Sequence, residues 1–399
     1  MTIDTIGIPF NLREQVWNTL SLLTHAPDPT PEREMGYGSS NNNPSELAIN
    51  TVRGEAMHTV VRYALRIRRH FEQTPEGAER IEQGFDEMPE VREVLDTRLD
   101  LDQEPSLAIR SVYGRWFPWL ALLDPRWATQ SVTKIFPQDE ILSDIRRAAW
   151  ESYVTFCDVY DNTFDLLHEE YRYTVERLNS ALIEKPKLTQ PDECLSQHLM
   201  TLYWQGKLDL DEPGSLLARF FELACDELRG YALEFVGRSL CNTQDAIDPQ
   251  ILNRLQVLWD QRLEAARSST EPSSYATELA AFSWWFSSTK FDDSWAIAQL
   301  KQVLELVGKV DPDFLVVERL AALADAMPEP AVECLELILK KDNKGWGIYG
   351  WRDEAKTILV TAIKGSNDTA RQTAEALIHH LGERGYWEFR ELLSSVNGK

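Results

Sequence analysis

Again and again along this chain, a proline follows a residue that can start an α-helix. Asn43-Pro44, Thr74-Pro75, Asp124-Pro125, Asp248-Pro249 and Asp311-Pro312 are the clear cases, and Glu104-Pro105, Glu212-Pro213 and Glu329-Pro330 are weaker ones. Proline at the first helical position loses no hydrogen bond, and a preceding Asp, Asn, Ser or Thr accepts from an amide that has no partner inside the helix. Asn43-Pro44-Ser45-Glu46 and Asn11-Leu12-Arg13-Glu14 also place a glutamate where a capping box needs one.

The residues after these signals keep helical spacing. Leu12, Val16, Leu20 and Leu23 share a face, as do Val52, Ala56, Val60, Ala64 and Ile67. Ile251, Leu255, Leu258 and Leu263 repeat the pattern, and so do Ala296, Leu300, Leu304 and Val307. No run alternates with period two between turn signals, so strands are not expected. The spacing predicts an all-α protein of roughly 16–18 helices, each about 10–25 residues long, joined by short turns.

A chain of 399 residues exceeds what one compact core usually holds, so several domains or an extended array are expected. Some segments echo one another. Arg53-Gly54-Glu55-Ala56 and Arg229-Gly230-Tyr231-Ala232 are close versions; Arg146-Arg147-Ala148-Ala149 and Arg352-Asp353-Glu354-Ala355 are looser. Small residues at such positions let neighbouring helices approach closely. The pattern predicts an irregular HEAT/ARM-like helical repeat, an α-solenoid of stacked helix pairs. The segment from Lys185-Pro186 to Pro191 divides it into helical-repeat halves, 1–190 and 191–399, which one continuous array could also span. Pro27 to Asn43 is a long polar loop, and Ser268 to Ser274 a lesser break.

Net charge is −23. That excess opposes general binding to nucleic acid or to anionic membranes and favours a basic partner. The five cysteines, Cys157, Cys194, Cys225, Cys241 and Cys334, form no Cys-x-x-Cys and fit reduced thiols. The N-terminus lacks a basic start and apolar run, and no stretch is long and apolar enough to span a bilayer. A cytoplasmic location is expected.

Few constellations carry chemistry. Asp158, Asp161, Asp165 and His168 stand three, four and three apart, one stripe if helical. Asp165-x-x-His168 has the spacing used in carboxylate-bridged metal bundles, but no Glu-x-x-His partner follows, and a solvated acidic face is the simpler reading. Gly345-Trp346-Gly347-Ile348-Tyr349-Gly350 spells a dinucleotide fingerprint, yet it follows a helical segment rather than a strand. It reads as an inter-helix turn pinned by Trp346, Tyr349 and Trp351, and with Lys344 beside it, as a contact surface. Arg62, Arg66 and Arg69 stand at i, i+4 and i+7, a row that could clamp a phosphate or an acidic partner, but the acidic segment 72–104 folded back beside them is the favoured reading. Tryptophans gather as Trp116, Trp119 and Trp127, as Trp284, Trp285 and Trp295, and as Trp346 and Trp351. His379-His380 places one ring on a packed face and one on an exposed face. No nucleophile motif and no His-Glu-x-x-His occurs.

The stretch Asn43-Pro44-Ser45-Glu46-Leu47-Ala48-Ile49-Asn50-Thr51-Val52-Arg53-Gly54-Glu55-Ala56 resembles a segment in the large helical C-terminal regions of some bacterial anti-phage defence proteins. Those regions follow STAND-type NTPase modules or similar enzymatic domains. Thr369-Ala370-Arg371-Gln372-Thr373-Ala374-Glu375-Ala376-Leu377, running on to Leu393, resembles the closing helix pair of such arrays. The resemblance covers about a quarter of the chain and rests on caps and small residues. It implies a recognition or scaffold role in a defence system. No NTPase, nuclease or NADase module is recognisable at the N-terminus, so a separate subunit or a fragment of a longer reading frame is expected.

A non-enzymatic scaffold is therefore expected, one that binds another protein, basic or an NTPase or nuclease subunit, through Trp346, Tyr349, Trp351, Lys344, Arg62, Arg66 and Arg69, with no cofactor. The alternatives are a helical metalloenzyme using the Asp158, Asp161, Asp165 and His168 stripe, and an acidic DNA-mimic inhibitor.

Overall fold

A computed structural model describes residues 9–38, 43–178, 190–210, 214–341 and 347–393. Every regular element among them is helical, with no strand. The chain divides into two compact units, residues 1–174 with 189–198 and residues 175–188 with 199–399.

In the first unit the helices are α1 (Arg13–Thr24), α2 (Pro31–Gly38), α3 (Pro44–Ile49), α4 (Val52–Glu72), α5 (Gly77–Glu82), α6 (Pro89–Leu99), α7 (Leu107–Leu123), α8 (Pro125–Ile135) and α9 (Ser143–Phe156). The division runs through α10 (Asp161–Arg177) and α11 (Gln190–Trp204). The second unit continues with α12 (Leu216–Leu223), α13 (Asp226–Asn242), α14 (Pro249–Ser268), α15 (Ala276–Ala280), α16 (Phe282–Ser287), α17 (Asp293–Leu306), α18 (Asp313–Leu323), α19 (Pro328–Lys341), α20 (Arg352–Lys364) and α21 (Asp368–Glu383). There are thus 21 helices among the described residues, more than the periodicity predicts, because short helices such as α3, α15 and α16 carry too few residues to show a period.

Three of the proline signals start helices as expected. Asn43, Asp124 and Asp248 accept from the amides of Ser45, Trp127 and Gln250. Elsewhere the start moves. Helix α18 begins at Asp313 with Pro312 as its N-cap residue, and α7 is capped by Ser106, whose hydroxyl accepts from the Ile109 amide. No capping box forms at Asn11, because a 3-10 turn over Phe10–Leu12 leads directly into α1. The expected loop from Pro27 to Asn43 contains α2. Thr30 accepts from the Arg33 amide, and Pro31 opens the helix. Most of the segment 185–191 lies outside the described residues.

Helices two or three places apart in sequence pack side by side and point the same way. In the first unit Trp116 of α7 reaches His58 of α4, and Arg68 of α4 reaches the Leu122 carbonyl of α7, so the two run parallel. Arg115 of α7 lies over Phe156 at the end of α9, and Trp119 meets Tyr160 just beyond it. In the second unit, Asp226 at the start of α13 accepts from the amides of Thr277 and Glu278 at the start of α15. Trp351, at the start of α20, donates to Asp313 at the start of α18. Asn367 bonds Glu329 at the starts of α21 and α19, and Arg384 bonds the Leu339 carbonyl at their ends. Helix α17 packs on α19, and α16 on α18.

The four echo segments share a device. Each arginine pairs with a glutamate later in the chain: Arg53 with Glu104 at 2.8 Å, Arg146 with Glu170 at 2.6 Å, Arg229 with Glu278 at 2.5 Å and Arg352 with Glu388 at 3.5 Å. The second and third pairs are buried and the first largely so, and the guanidinium groups of Arg53 and Arg229 also bond carbonyls at helix ends and in loops. Arg53 donates to Ala26 and Pro29, and Arg229 to Ala224 and Ser274. A cation there answers the negative end of a helix. The glycines beside Arg53 and Arg229 allow the close approach expected of small residues. A Cβ on Gly54 would lie 2.1 Å from the Ala48 carbonyl oxygen, and one on Gly230 2.9 Å from that of Thr277.

Candidate protein-interaction face

Helix α7 is apolar nearly all round, and the packing does not cover all of it. Ala108, Ile109, Val112, Phe117, Leu120 and Leu123 are buried, whereas Trp119 is 40 % and Leu122 39 % exposed. Pro118 sits inside this helix and has no N–H for the Gly114 carbonyl. The Cys157 thiol approaches that region, 3.9 Å from the Gly114 carbonyl oxygen and 3.1 Å from that of Arg115. Burial pushes this thiol up to about 12, so it is a structural donor and not a nucleophile.

The chain after α9 is anchored from below. His198 donates from Nε2 to the Cys157 carbonyl at 2.9 Å and accepts at Nδ1 from the Tyr171 hydroxyl at 2.7 Å. Tyr171 in turn lies 3.1 Å from the Tyr153 hydroxyl. Because Nε2 must donate to a carbonyl, the chain of bonds runs from Tyr153 through Tyr171 and His198 to the backbone. Burial lowers His198 to about 4, so the ring stays neutral. The anchored segment presents Phe156 and Tyr160, 47 % and 42 % exposed.

Together these residues make one continuous face. The Arg115 guanidinium lies 4.4 Å from the Phe156 ring centre, and the Trp119 and Tyr160 rings lie 6.5 Å apart. The Arg62 guanidinium lies 5.8 Å from the Trp116 ring, whose indole N–H is held by buried His58. Arg66 and Arg69 extend the face along α4. Arg62 pairs with Glu55 of its own helix at 2.5 Å, and the acidic segment 72–104 reaches α4 through Glu72, which pairs with Arg68, and Glu90, which accepts from the Tyr63 hydroxyl, without an ion pair to Arg66 or Arg69 among the described residues. Within that segment Arg92 takes Asp86 and Asp96 instead, and Glu104 serves Arg53 and Arg98.

The other predicted site residues fare differently. Trp346 and Lys344 lie outside the described residues. Gly347–Gly350 form a 3-10 turn, which carries Tyr349 outward, 56 % exposed, with Arg352 over its ring. Trp351 is not a contact residue: it is buried, and its indole N–H bonds Asp313. Sequence reasoning missed exposed Trp387 beside Tyr349's neighbour Tyr386, with Arg390 4.6 Å from its ring centre. It also missed Arg115, Phe156 and Tyr160. The available signal was an excess of apolar residues on every side of α7.

The acidic stripe is not one helical row. Helix α9 ends at Phe156 and α10 begins only at Asp161, so Asp158 precedes the helix. Asp158, Asp161, Asp165 and His168 are all exposed, and His168 lies 3.6 Å from Glu169. Among the described residues no group of three or more His, Cys, Asp or Glu is placed to hold a metal ion. His379 and His380 are both exposed, since Leu377, Ile378 and Leu381 fill the packed side. No helix among the described residues is long and apolar enough to cross a membrane.

No family model, no curated protein and no solved structure matches the chain.

Proposed function

We propose that this chain is a non-enzymatic helical-repeat protein that binds another protein through the face formed by α4, α7 and the segment after α9. The observation that carries this reading is the exposure of Trp119, Phe156 and Tyr160 together on rigidly held backbone, next to Arg62 and Arg115. Trp, Tyr and Arg are the residues that most often anchor protein interfaces, and an aromatic cluster left in water costs solubility without a compensating partner. The parallel packing of helices two or three places apart and the recurring arginine–glutamate pairs support a HEAT-like solenoid within each unit. The resemblance to the helical regions of anti-phage proteins is the ground for placing the partner in a defence assembly.

Replacing Trp119 and Tyr160 by aspartate tests this reading, with Ile141→Asp as a control, since Ile141 is exposed and apart from the aromatic contacts of the face. Co-purification from native cells, read by quantitative mass spectrometry, should lose a specific partner with the double variant and keep it with the control. Unchanged circular dichroism would show that both variants fold. An identical partner profile for all three proteins would sink the proposal.

A further inference from the structure

We infer that the occupant of this face is an acidic segment of the partner, which sets carboxylates against Arg62, Arg66, Arg69 and Arg115 and a large apolar side chain against Trp119 and Tyr160. This inference rests on the reading of the face as the working surface. Its ground is local charge. The chain holds 64 Asp and Glu against 41 Lys and Arg, so carboxylates are plentiful and cations scarce. Nearby arginines are accordingly paired: Arg53 with Glu104, Arg68 with Glu72 and Arg92 with Asp86. Arg66, Arg69 and Arg115 make no ion pair among the described residues. Arg62 is held only by Glu55 in an exposed pair, which an incoming carboxylate can replace at little cost.

The net charge of the whole molecule favours a basic partner, but charge acts locally. At physiological salt the Debye length is about 8 Å, so distant acidic helices are screened while four guanidinium groups on one face are not. Guanidinium also matches a carboxylate in a bidentate geometry that fixes register. Trp116 and Phe156 contribute faces on which arginines already rest, keeping those guanidinium groups extended rather than collapsed. A polynucleotide fits less well. It carries a charge every few ångströms and needs a long basic track, whereas the row from Arg62 to Arg69 spans only about two turns of α4. A short acidic stretch of protein matches both the length of the row and the apolar anchor beside it.

The test is selection of short random displayed peptides on the full chain, with a labelled oligothymidylate as the nucleic-acid probe. Enriched peptides should combine several Asp or Glu with one large apolar residue. Arg66→Glu with Arg69→Glu should weaken a synthetic copy of the best peptide by about tenfold or more, and added salt should weaken it further. Trp119→Ala should weaken the same peptide in a salt-independent way. Enrichment of basic or neutral peptides, no enrichment, or oligothymidylate binding that Arg66→Glu removes would each overturn the inference. If acidic peptides bind but neither Trp119→Ala nor the arginine reversals matter, the face itself has been misassigned.

Discussion

The indole N–H of Trp116 donates to Nδ1 of His58 at 2.7 Å, which leaves the proton of a neutral imidazole on Nε2. His58 is 2 % exposed, and its Nε2 has no hydrogen-bond partner among the described residues. Burial first, then Arg115 and Arg62, hold its pKa down at about 3.

Acid should therefore unfold this protein through its histidines before most carboxylates titrate. In the unfolded chain His58 and His198 take up a proton near pH 6.5, and in the folded protein only near about 3 and about 4. The unfolded state binds more protons across that window. The stability contributed by the neutral rings is complete above about pH 6.5 and is lost as pH falls. The expected loss is about 1.4 kcal/mol per pH unit for each histidine. Urea unfolding followed between about pH 7.5 and about pH 5 measures it. His198→Gln should reduce the slope; an equal slope in that variant would show that His198 is not titrating as described.

Glu278 and Glu388 occupy equivalent places in the recurring arginine–glutamate pairs, yet their removal should differ sharply. Glu278 is fully buried and takes both Arg229 and Arg262 at 2.5 Å. Glu278→Ala leaves two largely buried guanidinium groups uncompensated and should cost about 3–5 kcal/mol. Glu388 is partly exposed, 3.5 Å from Arg352, and Glu388→Ala should cost less than about 1 kcal/mol. Chemical denaturation of the two single variants gives the comparison, and similar losses for both would refute the assignment of burial.

How much of this was legible beforehand depends on what each feature needs. Asn43, Asp124 and Asp248 act on amides two or three residues away, so a local pattern sufficed to find them. The echoes at Arg53, Arg146, Arg229 and Arg352 were visible as repeats, but their glutamate partners lie 24 to 51 residues onward and have no periodic mark. The missed α2 had its Thr30-Pro31 signal in the sequence and was obscured by the glycines and asparagines that follow. Trp119 and Trp351 look alike on paper. One is exposed and one is buried because only tertiary packing decides which side of a helix is covered.

The glycines beside the echo arginines should rank by the space their neighbours leave. At Gly54 a methyl group would meet the Ala48 backbone at 2.1 Å, where nothing flexible can yield. Gly54→Ala should destabilise by about 1–3 kcal/mol, despite alanine's better helix propensity. At Gly230 the nearest atoms are the Thr277 methyl and carbonyl oxygen at 2.9 Å. There the propensity gain of about 1 kcal/mol offsets more of the crowding, so Gly230→Ala should be milder. Thermal midpoints of the two variants rank them, and a reversed order would mean that α3 can move away from α4.

Tyr349 and Trp351 stand two residues apart, and the structure gives them opposite duties. Trp351 is 2 % exposed, and its indole N–H donates to Asp313 at 2.9 Å, tying the start of α20 to the start of α18. Trp351→Ala empties that site and leaves Asp313 without the indole, at an expected cost of about 3–5 kcal/mol. Trp351→Phe refills most of the volume without restoring the bond, so it should recover part of the loss and no more. Tyr349 lies outside, with the Arg352 guanidinium 5.0 Å from its ring centre. Tyr349→Ala should change stability by less than about 1 kcal/mol. Denaturation curves for the three variants separate the roles. A Tyr349→Ala loss as large as that of Trp351→Ala would mean that the Gly347–Gly350 turn is part of the core rather than a platform above it.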